Sequence, residues 1–454
     1  MAQAEAQGSR VRAGARNGRL AILAGSVTAL VIASLAGSAL GFLNKAGCRA
    51  GAWNVGVEQY QAHCYTDIYP LFYGEGLWHG QVPYLDHQVE YPVLIGAAMQ
   101  AVEWLVRPIS SPWIRGREFF DGTAFLLTVC AIAGVLATAY LAGRSRRWTA
   151  LLVALSPGLI LASFINWDMI AMALTALAMA GWAAKRNVLA GVLFGLAIAT
   201  KFYPLLLVGA LFLLCLRAGR LRAFWVTAAS AAVAWLVVDV PIAVANFAGW
   251  SKFYRLNSTR GADWGSIWYF FEAEHWPVLG SLGLGTLNLA SLLLFAVACG
   301  LIAVLTLGAA RRPRVSQVFF LVLAAFLLVN KVWSPQYVIW LVPLVVLARP
   351  RLWSYLLWQV AEVGYFFAIW AYLITAAAPQ SPGGIGAGLY FTAVLARFGA
   401  VALLCGLVVA DILRPERDVV RAAGEDDPAG GVLDGAPDSF ALRGWAAPVT
   451  APAP

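Results

Sequence analysis

The chain has 454 residues, 61% of them hydrophobic and 12% charged, with a formal net charge of +9. Soluble domains carry about twice that charged fraction, so a water-soluble globular fold is excluded and a multi-span membrane protein is expected. The positive excess does not indicate nucleic acid, because Lys and Arg fall in short loops between apolar runs, the pattern that sets membrane orientation.

In chain order, residues 1–19 are a basic cytoplasmic segment, with Arg10, Arg12, Arg16 and Arg19 ahead of an apolar run from Leu20 to Phe42. That run is too long for a cleaved leader and reads as a retained anchor. Residues 44–118 form a large first outer loop. Within it lie Cys48 and Cys64, for which an oxidising exterior permits a disulfide worth about 3 kcal/mol; two free thiols are the other reading. The stretch Tyr65–Pro92 is crowded with aromatics, carboxylates and histidines, and its prolines with Gly74 and Gly76 forbid one continuous helix. Val93–Val106 follows with about 14 residues, short of the ~20 needed to span. If it crossed the bilayer, Arg144–Arg147 and every later basic loop would lie outside. It is therefore read as an embedded helix on the outer side, which keeps all those loops cytoplasmic.

Full spans are expected near 119–142, 148–165, 168–184, 223–247, 284–309, 353–376 and 389–412. Two other pieces, 188–216 and 315–348, leave and return to basic loops but break midway, at Lys201 before Pro204 and at Lys331 before Pro335. Both read as broken hairpins, and irregular backbone is tolerated at that depth only when it lines a polar cavity or is buried in protein. Residues 20–412 thus make an all-α polytopic membrane domain of about 12–13 membrane segments. The tail, 413–454, is rich in Ala, Pro, Gly and Asp and is expected to be disordered and cytoplasmic.

Among candidate functional residues, Asp67 follows the first span directly and has aromatics around it and Asp86 and Glu90 close in sequence. A lone loop aspartate is commonly a cap or a solvated charge, but a carboxylate in a partly dry setting suits proton abstraction from a hydroxyl. Lys201 and Lys331, as intramembrane cations, suit a phosphate at head-group level, with Arg255 or Arg260 assisting. Asp168 reads as a helix cap, and Glu362 with Arg397 as a buried ion pair. Gly191 and Gly195 form a close-packing pattern of low specificity. The cysteines lack CxxC spacing and the histidines fit no ligand pattern, so no metal and no cofactor is expected.

Four pieces together resemble a known family. They are Asp67 with Gly80–Asp86 and Glu90-Tyr91-Pro92; Gly195 through Lys201-Phe202-Tyr203-Pro204; Phe253-Tyr254-Arg255 through Trp264; and Lys331 through Tyr337 with Pro343. The chain is similar to C-type (GT-C) membrane glycosyltransferases, close to family 87, which includes polyprenol-phosphate-mannose-dependent mannosyltransferases. The resemblance implies a GT-C-like helical bundle and an inverting transfer on the extracytoplasmic face of the plasma membrane. The implied donor is a polyprenyl-phosphate sugar, the acceptor a glycolipid or glycan hydroxyl, and the base Asp67. Lys201, Lys331 and Arg260 are then expected at the donor phosphate, and Tyr69, Tyr84, Asp86, Glu90, Trp264, Gln336 and Tyr337 at the substrate. Family members commonly carry a second proline after Glu-Tyr-Pro, where Val93 stands here. The rival class is a transporter, since carriers also use broken hairpins; against it, the two Lys-Pro hairpins share one orientation instead of being inverted.

Overall fold

The computed structural model describes residues 25–442 of the chain. The basic segment 1–19 and the last residues of the tail lie outside them. The regular structure among the described residues is helical, with no strand, and six helices are long and apolar enough to cross a membrane: α1 (Gly25–Asn44), α4 (Pro112–Leu141), α8 (Leu221–Ala245), α11 (Leu284–Gly308), α14 (Leu352–Ala377) and α15 (Ala387–Leu413). The protein is a polytopic helical membrane protein.

Between α1 and α4 lie a short helix α2 (Ile68–Gly74) and α3 (Val93–Val106), the latter with the 14 residues read from the sequence. Pro92 is extended and sets the start of α3. Ser111 caps α4, with Pro112 at its first helical position, where a missing N–H costs nothing.

The region 148–165 is not one span, as the sequence suggested. Ser156 and Pro157 interrupt it: a first helical piece ends at Ala154, and the Ser156 side chain caps a new one, Pro157–Ala162. Proline cannot donate the hydrogen bond that would continue the first piece, so the chain restarts. It then enters α5 (Asp168–Ala183).

Both broken hairpins are present. The first pairs α6 (Asn187–Ile198) with α7 (Tyr203–Arg217), and the second pairs α12 (Val315–Val329) with α13 (Val338–Ala348). Between α8 and α11 two further helices, α9 (Phe247–Thr259) and α10 (Ile267–Ala273), complete the second outer segment. Every residue of α13 is buried, so the second hairpin forms the centre of the bundle. By contrast α8 and α11 are the least buried of the long helices and form its flank. The first hairpin packs on α8 through Gly191 and Gly195. A Cβ on either would come within 2.3 Å of a backbone oxygen, that of Thr227 or Ala231, so only glycine permits this approach.

Glu362 on α14 and Arg397 on α15 form the expected buried pair at 2.9 Å. Arg397 also donates to the carbonyls of Trp333 and Ser334 and lies over the Trp333 and Tyr365 rings. The pair therefore anchors the tip of the second hairpin as well as joining two helices.

The tail corrects the expectation of disorder. Up to residue 442 it is folded against the basic end of the bundle. Asp418 meets Arg314 at 2.7 Å, Asp438 meets Arg217 at 2.7 Å and Arg312 at 2.6 Å, and Glu425 meets Arg146. The Trp182 indole donates to the Gly430 carbonyl at 2.8 Å. A polar composition without a core reads as unfolded, but here the partners come from loops elsewhere in the chain.

Candidate active site

Asp67 is placed by three hydrogen bonds that tie positions 65–67 to other parts of the fold. Its backbone N–H donates to Ile165 O at 2.7 Å, and the Thr66 hydroxyl donates to Phe164 O at 2.6 Å. Just beyond α1, fully buried Lys45 donates to Tyr65 O at 2.8 Å. Cys48 and Cys64 are joined in a disulfide that closes this segment. The loop is thus fixed to the bundle at the aspartate and just ahead of it.

The Asp67 carboxylate receives the Tyr65 hydroxyl at 2.6 Å on one oxygen and the Tyr91 hydroxyl at 3.4 Å on the other. Tyr65 in turn stacks on Trp370, ring centroids 4.7 Å apart. Burial pushes the Asp67 pKa up to about 6; the Tyr65 hydrogen bond and the charge of Lys201 pull it down, while nearby Glu90 adds to the rise. A carboxylate so poised is ionised at neutral pH yet basic enough to take a proton.

Asp67 opens onto a cavity of about 750 Å³ built from the first outer loop, both hairpin tips, α9 with its following loop, and α14. Of the residues singled out from the sequence, Glu90, Lys201, Arg260, Trp264, Lys331, Gln336 and Tyr337 line the same cavity. Three others do not. Tyr69 is packed among Trp53, Tyr73 and Trp113. Tyr84 is buried, its hydroxyl donating to Pro92 O at 2.6 Å. Asp86 accepts from Val82 N–H at 2.9 Å and closes its own turn. These three stabilise the loop instead of facing the cavity. Arg255 is also occupied locally, on Ser251 and Ala248.

The two hairpin lysines differ in how their charge is used. Lys201 meets Asp168 at 2.7 Å, with both side chains largely buried. Asp168 is therefore an ion-pair partner of Lys201, which the capping reading missed; 33 positions of chain separate the two, and no spacing rule connects them. Lys331 instead donates to Arg260 O at 2.6 Å, while Asp263 N–H donates to Lys331 O at 2.8 Å. Arg260 lies 3.3 Å from Asp263, which also accepts from the Ser334 hydroxyl. The second tip and the loop after α9 are thereby joined into one cationic wall. Sequence reasoning also passed over Lys45, Tyr65 and Asn166. For Asn166 a signal existed: an amide beside an aspartate inside an apolar run.

The sequence profile of glycosyltransferase family 87 matches residues 118–335. The chain is a glycosyltransferase family 87-like membrane protein. No protein with a curated description matches it. The matched part of this family 87-like glycosyltransferase holds Asn166, Asp168, Lys201, Arg260, Trp264 and Lys331, while Asp67 and Glu90 come from the loop ahead of it.

Proposed function

We propose that the protein transfers a hexose, mannose in the first instance, from a polyprenyl-phosphate sugar to a hydroxyl of a lipid or glycan acceptor, with inversion. The observation that carries this reading is a half-buried, tyrosine-held Asp67 in one cavity with two cationic side chains, Arg260 and Lys331. The acceptor hydroxyl gives its proton to Asp67 as its oxygen bonds to the anomeric carbon. The bond from that carbon to the phosphate oxygen breaks, and its electron pair leaves with the lipid phosphate. Lys331 uses part of its donor capacity on backbone carbonyls, and an ammonium with three protons keeps donors for phosphate. The basic loops gathered at the end of the bundle remote from Asp67 support a cytoplasmic tail and an extracytoplasmic site in the plasma membrane.

Purified protein incubated with labelled polyprenyl-phosphate mannose or polyprenyl-phosphate arabinose and a lipid extract is expected to yield a new glycolipid. Absence of product from both donors overturns the reading. Product from arabinose alone replaces the sugar assignment.

A further inference from the structure

The Tyr91 segment and the tip of the first hairpin are bonded to each other. Leu94 N–H, in the first turn of α3, donates to Ala199 O at 3.0 Å, so Glu90-Tyr91-Pro92 is held against the residues that carry Lys201. Tyr91 is buried and packs edge-on against Trp167, ring centroids 5.5 Å apart. Its hydroxyl reaches the second oxygen of Asp67 at 3.4 Å.

Lys201 stands in a cage. Asp168 takes its ammonium at 2.7 Å, and the rings of Tyr91, Tyr337 and Trp340 lie 5.2, 5.7 and 5.7 Å from it. A cation within about 6 Å of an aromatic ring is attracted by its face. The cage is itself braced: Trp340 stacks on Tyr337, centroids 3.8 Å apart, and on Tyr203, 4.6 Å apart. Drawing the ammonium to a phosphate would break the pair and leave Asp168, 2% exposed, as a buried carboxylate without its counter-ion.

From within this cage the ammonium still acts on Asp67. Burial raises the Asp67 pKa and the Tyr65 hydrogen bond lowers it; of the charges nearby, Glu90 and Asp168 add to the rise, while Lys201 opposes it more strongly than Asp168 adds. Tyr60, Tyr65 and Tyr91 also feel the carboxylate charge, as does buried Lys45 just beyond α1.

We infer that Lys201, paired with Asp168, is a positioning residue for the base: the caged ammonium supports Tyr91 and favours the ionised form of Asp67, and it does not take the donor phosphate. This rests on the glycosyl-transfer reading above, in which Asp67 receives the acceptor proton. The two hairpins then divide the work. The first prepares the base, and the second, through Lys331 beside Arg260, answers the charge on the leaving phosphate.

The test uses the full-length protein and the polyprenyl-phosphate sugar that the wild type transfers in the assay above, with kcat/KM followed against pH. Lys201→Gln removes a positive charge near Asp67, so the Asp67 pKa rises and the inflection moves up by about half a pH unit, a loss of about threefold in rate below it. Asp168→Asn keeps the shape and removes a negative charge, so the inflection moves down by a similar amount. Lys201→Arg keeps the charge and leaves the inflection in place. Inhibition by free polyprenyl phosphate is expected to stay within about threefold of wild type in these variants, and to weaken about tenfold in Lys331→Met, the control for a phosphate ligand. A merely structural role lowers the rate at every pH and moves no inflection. Inflections that stay put in Lys201→Gln and Asp168→Asn alike overturn the inference, and so does a tenfold loss of polyprenyl-phosphate inhibition in Lys201→Gln. Where Lys201→Gln does not fold, the direction of the Asp168→Asn inflection decides alone. Wild type that transfers no sugar removes the underlying reading instead, and this inference with it.

Discussion

Burial holds the Asp67 carboxyl near 6, and the Tyr65 hydroxyl opposes that rise by bonding the ionised form. As a general base, Asp67 works only when deprotonated. The transfer rate is therefore expected to be flat above neutrality and to fall as pH drops through about 6, read from kcat/KM against pH. Asp67→Asn keeps the shape and removes the basic oxygen, so a loss of about 10²- to 10⁴-fold is expected; a purified variant with wild-type rate sinks the base assignment. Tyr65→Phe separates position from charge. Without the hydroxyl the ionised form loses its hydrogen bond, the Asp67 pKa rises further, and the inflection moves to higher pH. An inflection that stays in place means that Tyr65 only packs against Trp370. Tyr69, Tyr84 and Asp86 stand in the same loop and share the residue types expected at a sugar site, yet all three serve the loop itself. Composition located a segment that reaches the cavity; which face each side chain takes depends on turns such as Val82–Asp86, for which a loop offers no periodicity.

At the scale of elements, both hairpins and the 14-residue α3 were legible because lengths are decided by bilayer thickness, and each was too short to cross. The break near Pro157 was less so, since Ser-Pro inside an apolar run does not announce whether the helix kinks or restarts. Unlike the Lys201–Asp168 pair, the Glu362–Arg397 pair could be read, because each residue stands alone in a long regular span at comparable depth. That pair leads to a prediction about the second tip. Both oxygens of Glu362 are used, one by Arg397 and one by the Trp358 indole at 2.9 Å. Arg397→Met leaves a buried carboxylate without its counter-ion and frees the Trp333 and Ser334 carbonyls, for an expected loss of about 3–5 kcal/mol in thermal or denaturant unfolding. The double change Glu362→Leu with Arg397→Met is expected to recover a large part of it, since no charge is then stranded. Equal losses in the single and double variants would assign the effect to packing. The Cys48–Cys64 bridge acts on the first outer loop in a comparable way. Cys64→Ser is expected to lower stability by about 3 kcal/mol and to reduce activity, by loosening the segment that carries Asp67.

Across the whole molecule, chemistry and closure occupy opposite ends. The cavity is assembled where the hairpins turn, and the tail ties together the loops where the same hairpins begin and end. Arg314 shows how much rests on the tail: it is 2% exposed, donates to Leu347 O and Ala348 O, and has Asp418 as its counter-ion. Asp427 takes the Val315 N–H at 2.8 Å, so the first turn of α12, the helix that leads to Lys331, is also held by the tail. Ending the chain after Leu413 strands Arg314, Arg312 and Arg217, two of them almost fully buried, and is expected to cost several kcal/mol, on the order of one broken buried pair or more. Asp418→Asn is expected to produce a large share of that loss alone. Because the cavity residues do not touch the tail, the truncated protein, assayed well below its lowered melting temperature, should keep the wild-type KM for donor. Unchanged melting temperature after truncation would show that the tail merely rests on the basic loops. A changed KM would show instead that the clamp is felt through α12 at the other end, where Lys331 faces the cavity.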